Sequence, residues 1–285
     1  MREASLVKRE TLIGGKLLSF FFACCAASLF ASPYLYAAGK IDGELSVRDV
    51  LTMPGQTTRI EANLTRRGSV GGRQGLSGEP LELIVEGKTV GTAKTGEDGR
   101  AYLEYTPRTR GNHDITVRLM PESAVNVPDA KATVGAWERR RPILLVELAA
   151  VIHQKDAAPV ADAADELMRL AQFFYNVIYV SWLPAEGELS FGDSNDTREW
   201  LAKNKFPQGL TVSLRPGGKS LKAKIEQLRA DGWVNLKAGV GKTRGFAEVL
   251  AEHRIEVVVV PESEKVELPK KAKVVKEWKD VRKKL

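Results

Sequence analysis

A few side chains in this sequence are of the types that handle anions, and each stands beside an apolar run. Glu147 closes the run Ile143–Val146, and Ser181 closes Val177–Val180. Lys222 and Lys224 fall in a stretch of helical periodicity, and Gly241-Lys242-Thr243 follows a run of small residues. Ammonium groups and backbone amides at the start of a helix are the parts of an anion site. Gly239–Thr243, GVGKT, ends like the phosphate-binding pattern Gly-x-x-x-x-Gly-Lys-Ser/Thr, in which amides at a helix N-terminus cradle phosphate. The first glycine of that pattern would fall at Leu236, so what remains is a lysine and amides able to hold an anion without catalysis. The anion-binding candidates are therefore Ser181, Lys222, Gly241, Lys242 and Thr243.

Metal chemistry has little to work with. His113, His153 and His253 are far apart, with none at ligand spacing from another. Cys24 and Cys25 both lie in the first 40 residues, so a chain that loses that segment has no thiol for a disulfide or a cysteine metal site. No metal site is expected from these residues.

Two kinds of element must position these groups. From residue 39 to about 135, apolar and polar residues alternate in short runs: Thr58–Leu64, Leu81–Glu86, Arg100–Tyr105 and Asp114–Leu119. Turn signals at Gly96–Gly99 and Arg110–Asn112 separate them, and Val70–Gly78 reads as a glycine-rich loop. This predicts an all-β sandwich. Residues 136–142 read as a linker. Over residues 143–262, strands alternate with helices. Strands are predicted at Ile143–Val146, Val177–Ser181, Thr211–Leu214, Val234–Ala238 and Glu256–Val260. Helices are predicted at Ala161–Phe174, Asp196–Asn204, Lys219–Asp231 and Thr243–His253. That alternation predicts a three-layer α/β domain with a mainly parallel sheet and ligands at the strand C-terminal ends.

Two family resemblances follow. Lys94–Leu119, KTGEDGRAYLEYTPRTRGNHDITVRL, resembles bacterial immunoglobulin-like domains. Residues 141–260 resemble the haloacid-dehalogenase-like phosphatase superfamily, in particular the domain of lipins, phosphatidylinositol-transfer proteins of the retinal-degeneration type and related phosphatidate phosphatases. RPILLVELAAVI (Arg141–Ile152) is similar to that family's first strand, and Ser181 stands where it keeps Ser or Thr. Thr197–Leu201 matches a Thr-Arg-x-x-Leu helix, Phe206–Leu214 a Leu-Pro-x-Gly segment, Lys222 or Lys224 the third-motif lysine, and Ala238–Ile255 the late loop and helix.

The resemblance implies an aspartate nucleophile, a second aspartate as general acid, a late-loop ligand to Mg²⁺ and a final acid after it. Here those positions are Glu147, Ala149, Lys242 and Phe246. Glu147 is one methylene too long, and Ala149 cannot give a proton. A cation at Lys242 opposes Mg²⁺. The implied site is degenerate, with Glu147, Ala149, Ser181 and Lys222 as its remnants. Cofactor-free behaviour is expected, and Mg²⁺ enters only if an active phosphoesterase survives. One lysine, Lys242, Lys222 or Lys224, is expected to pair with Glu147 where the metal would sit. Glu147, Ser181 and Lys242 are expected to cluster at the C-terminal edge of the sheet.

Charge and termini bound the rest. The chain has 285 residues and a net charge of +7. Residues 1–38 carry four basic and two acidic residues and the 15-residue apolar run Leu17–Ala31, which reads as a signal peptide or a retained anchor. Export to the periplasm or cell exterior follows. Lys270–Leu285 carries eight basic residues and two acidic ones, so the body between the termini is near neutral and no specific nucleic-acid partner is expected. Val274, Val275, Trp278, Val281 and Leu285 would share one face of a helix. Residues 263–285 are therefore predicted to form a basic amphipathic tail able to meet an anionic membrane. The function expected is that of an exported, non-catalytic pseudo-phosphatase that binds or scaffolds an unknown protein or anionic ligand. The alternatives are an active Mg²⁺-dependent phosphoesterase and an envelope structural module.

Overall fold

The computed structural model describes residues 40–68, 72–153, 156–183, 194–216, 218–261 and 267–285. The expected signal segment lies outside them. The described residues form one compact unit.

The first part contains eleven strands: β1 (Ile41–Asp42), β2 (Glu44–Val47), β3 (Val50–Thr52), β4 (Thr58–Arg67), β5 (Arg73–Gly75), β6 (Pro80–Val85), β7 (Lys88–Lys94), β8 (Arg100–Tyr105), β9 (Gly111–Leu119), β10 (Val125–Asn126) and β11 (Ala130–Ala136). One sheet joins β2, β4, β5 and β8, a second runs β3-β11-β9-β6-β7, and β1 pairs parallel with β10. The opening strand divides between the sheets: β2 pairs antiparallel with β4, and β3 pairs parallel with β11. With β4 against β8 and β9 between β6 and β11, this is the strand arrangement of an immunoglobulin-like sandwich. Period-two burial in β6 and β8 sends Leu81, Leu83, Ala101 and Leu103 inward, against Ile60, Leu64, Ile115 and Val117. Arg73–Gly75 is a short strand where a loop was predicted.

The second part is a six-stranded parallel sheet: β12 (Ile143–Glu147), β13 (Asn176–Trp182), β14 (Leu210–Leu214), β15 (Leu236–Gly241), β16 (Glu256–Val259) and β17 (Lys273–Val274). Its helices are α1 (Ala163–Phe173), α2 (Ser194–Lys203), α3 (Gly218–Ala230) and α4 (Arg244–Glu252). The spatial order is β14-β13-β12-β15-β16-β17, so successive strands run outward from β12 to one side and then to the other. Leu167 and Leu170 of α1 and Leu201 of α2 cover the face of Leu144, Val146 and Tyr179. Leu221 and Ile225 of α3 and Phe246 and Leu250 of α4 cover the face of Leu145, Ile178 and Val180. β15 lies later in the chain than predicted: Val234 is exposed, and the strand is Leu236–Gly241.

The predicted helical tail is corrected. Lys273–Val274 adds an edge strand to the sheet, and Trp278–Lys283 forms a 3₁₀ turn. Val275, Trp278 and Val281 are buried, and Trp278 Nε1 donates to the Ala150 carbonyl at 2.8 Å. Three of the five apolar residues of the expected face, Val275, Trp278 and Val281, are thus part of this domain's own core, while Val274 is exposed. Among the described residues, no helix is long and apolar enough to cross a membrane.

The expected linker is also packed. Trp137 is buried and donates from Nε1 to Asn112 Oδ1 at 2.8 Å. The sandwich and the parallel sheet stay separate but are joined through Asp49. It accepts from Arg198 Nη2 at 2.6 Å, Thr211 N at 2.6 Å, Thr211 Oγ1 at 2.9 Å and Thr133 N at 2.8 Å. Beside it, a cleft of about 530 Å³ opens between β9, β11 and α2, with Ile115, Ala132, Leu201 and Phe206 in its lining.

Candidate functional site

In a parallel sheet with this strand order, the crevice that takes ligands lies between the first strand and the one where the winding reverses, at their C-terminal ends. Here that is the gap between β12 and β15. Glu147 ends β12 there and is followed by a 3₁₀ turn over Leu148–Ala150. β15 ends in Gly241, and Thr243 caps α4, its hydroxyl accepting from Phe246 N at 3.3 Å.

The crevice is filled from within. Glu147 has 0% exposure, and each of its carboxylate oxygens accepts two hydrogen bonds. Oε1 takes Trp182 Nε1 at 2.7 Å and Thr243 Oγ1 at 2.5 Å. Oε2 takes the backbone N–H groups of Lys242 at 2.7 Å and Thr243 at 2.8 Å. An unpaired buried carboxylate is costly, but four donors and the positive end of α4 offset that cost. The amides that could have cradled an external anion hold the protein's own carboxylate instead.

Several expectations are corrected by this geometry. Lys242 meets Glu147 through its backbone nitrogen, not through its ammonium group. Lys222 Nζ pairs with Glu252 at 2.7 Å, and Lys224 Nζ donates to Gln227 at 3.1 Å, so neither lysine takes the place of a metal. Glu147 and Lys242 do meet at the C-terminal edge, but Ser181 does not join them. Glu147 pairs in register with Val180, so Ser181, one residue on, points to the opposite face. Its hydroxyl lies 3.0 Å from Ser213 Oγ. The anion set Ser181, Lys222, Gly241, Lys242 and Thr243 is therefore split three ways.

The phosphate-loop reading fails for a local reason. Gly239–Gly241 is ladder-paired strand, with Gly239 against Leu145 and Val257, not a free loop. Gly241 serves close packing: a Cβ there would lie 2.3 Å from Phe246 Cδ1 and 3.0 Å from Glu147 Oε2.

Mg²⁺ does not fit these residues. Both Glu147 oxygens already face N–H and O–H donors, and Phe246, at the late-acid position, is buried core. Ala149 lies on the turn after Glu147 and brings no acid. Sequence reasoning missed Trp182, whose indole N–H completes the carboxylate's shell, and Asp49, which joins the two halves. Neither belongs to a motif.

No protein-family model matches the chain, and no curated protein matches it. Solved structures to which it is similar include the CARDB domain of PF1109 from Pyrococcus furiosus in complex with di-metal ions. That match has 17% identity over 34% of this chain and 94% of that one, with a TM-score of 0.26. The D0-D1 domain of intimin is 16% identical over 30% of this chain and 45% of that one, with a TM-score of 0.21. A family 39 glycoside hydrolase from Bacteroides cellulosilyticus WH2 is 11% identical over 75% and 50% of the two chains, with a TM-score of 0.23. These scores are too low to carry function. The class rests on strand order: an immunoglobulin-like sandwich packed against a parallel sheet flanked by helices.

Proposed function

We propose that this chain is an exported, non-catalytic binding or scaffolding protein of the periplasm or cell exterior. In this reading its second half is a doubly wound α/β module, related to haloacid-dehalogenase-like phosphatases, whose ligand crevice has become a structural joint. The observation that supports this most directly is the closed shell of Glu147. A nucleophile needs a free oxygen, and both of its oxygens are held by two donors each. The Asp49 joint supports a scaffold that presents both halves as one piece.

The test is an assay of purified protein on a generic phosphate ester with Mg²⁺. No turnover is expected, with or without Glu147→Asp and Ala149→Asp together. Turnover by the unmodified protein that disappears in Glu147→Gln would establish the active phosphoesterase instead.

A further inference from the structure

The end of the sheet opposite Glu147 collects features that neither the sandwich nor the filled crevice uses. Every strand of a parallel sheet enters at one edge, so the segments leading into β12, β13 and β15 lie side by side there. Three large apolar side chains stand in solvent at this edge: Phe173 at 66%, Phe174 at 54% and Val234 at 69% exposure. The two phenylalanine rings meet edge to face, 6.3 Å apart. Backbone bonds tie the three segments together: Asn176 N to Pro142 O at 2.8 Å, and Ile143 N to Asn235 O at 2.9 Å. The phenylalanine pair, ahead of β13, and Val234, ahead of β15, thus stand on either side of the Arg139–Pro142 segment that leads into β12, the strand between them.

The surroundings are basic. The entering segments carry Arg139, Arg140, Arg141, Lys205, Lys237 and Arg254 against Glu138, Asp231 and Glu256. Glu138 is paired with Arg110, and Glu256 with Lys273. Asp231 is the one acid of these segments outside those pairs. Arg141 donates to the carbonyls of Ala171 and Tyr175 at the end of α1, which holds its charge beside the phenylalanines. Arg139 lies over the Trp233 ring, its guanidinium 5.7 Å from the centroid.

Solvent-exposed aromatic side chains set among cations are the pattern of a surface that seats in a lipid headgroup layer. We propose that the strand-entry edge of the parallel sheet, centred on Phe173, Phe174 and Val234, docks this protein on an anionic membrane surface. The apolar side chains enter the headgroup boundary, and the arginines and lysines meet lipid phosphates. The tail keeps Val275, Trp278 and Val281 in the core, and the surface proposed here is instead a set of loops.

A nitroxide at position 234 tests this in the full chain, because it reads this edge whatever the N-terminal segment does. Val234→Cys in a Cys24→Ser, Cys25→Ser background is spin-labelled, with Val90→Cys on the sandwich as the reference site. With phosphatidylglycerol vesicles, the label at 234 should lose collisions with a water-soluble nickel chelate and gain collisions with oxygen. The label at 90 should change in neither, and phosphatidylcholine vesicles should leave both sites unaltered. Phe173→Ser with Phe174→Ser should restore nickel access at 234. Arg140→Gln and Lys237→Gln should each weaken vesicle binding read at 234 by about fivefold. A label at 234 that stays equally open to nickel with anionic vesicles overturns the proposal. So does shielding by neutral vesicles to the same extent, or shielding that grows with protein concentration alone and marks a contact between copies.

Discussion

Asp49 and Arg198, 149 residues apart in the chain, meet at 2.6 Å with 2% and 15% of their side chains exposed. Asp49 also takes the Thr211 amide and hydroxyl, so one carboxylate of the sandwich ties together α2 and β14 of the parallel sheet. A buried pair of this kind contributes little over an apolar substitute, but losing one member leaves the other charge stranded.

Asp49→Ala should therefore destabilise the protein by about 3–5 kcal/mol. Arg198→Ala should cost a similar amount, and the double variant less than the sum of the two. Urea unfolding of the four proteins checks this; additive costs would mean that the pair does not act as a unit.

Glu147→Gln puts an NH₂ group where a carboxylate oxygen faces two donors. A loss of about 1–3 kcal/mol is expected, measured by thermal unfolding, with the fold retained by circular dichroism.

Glu147→Ala empties the cradle and leaves the Lys242 and Thr243 amides facing an open space. Inorganic phosphate should then raise the melting temperature of the variant and leave the unmodified protein unchanged. At a phosphate concentration 100-fold above its dissociation constant, the gain would be about 2.7 kcal/mol. Equal responses from both proteins would show that Glu147 does not close an anion site.

Gly241→Ala forces a methyl group against Phe246 and Glu147. Overpacking of about 1–3 kcal/mol is expected. Phe246→Leu in the same chain should recover part of it, read as the difference between the single and double variants in denaturant midpoint.

Burial holds the Lys224 pKa below its ordinary value of 10.5; Asp231 opposes the shift and Arg48 adds to it. The folded state thus releases its proton at lower pH than the unfolded chain does, and stability rises with pH between the two values. Lys224→Met should therefore stabilise the protein at neutral pH, with an advantage that shrinks as pH approaches 10.5. Urea midpoints at neutral and alkaline pH give the comparison.

The sequence by itself determined where most elements lie, because periodicity is a local property. Arg100–Tyr105 alternates and is a strand over those same residues, and Ala161–Phe174 repeats at helical spacing and becomes α1 with two residues trimmed from its start and one from its end. It also marked Glu147 as a carboxylate closing a buried strand, since apolar residues lead up to it. The tail misled for a related reason: Val275, Trp278 and Val281 are spaced for one helical face, but a short 3₁₀ turn with an edge strand buries them as well. Tertiary structure alone decided what faces Glu147. Register between β12 and β13 is not written in either strand, and a one-residue slip moves every side chain to the other face of the sheet. The observed register sets Glu147 beside Val180, which brings Trp182 to the carboxylate and turns Ser181 away. Asp49 was equally silent. Its partners come from a helix and a strand about 150 residues further along, and no local pattern encodes a contact that only the packing of two sheets creates.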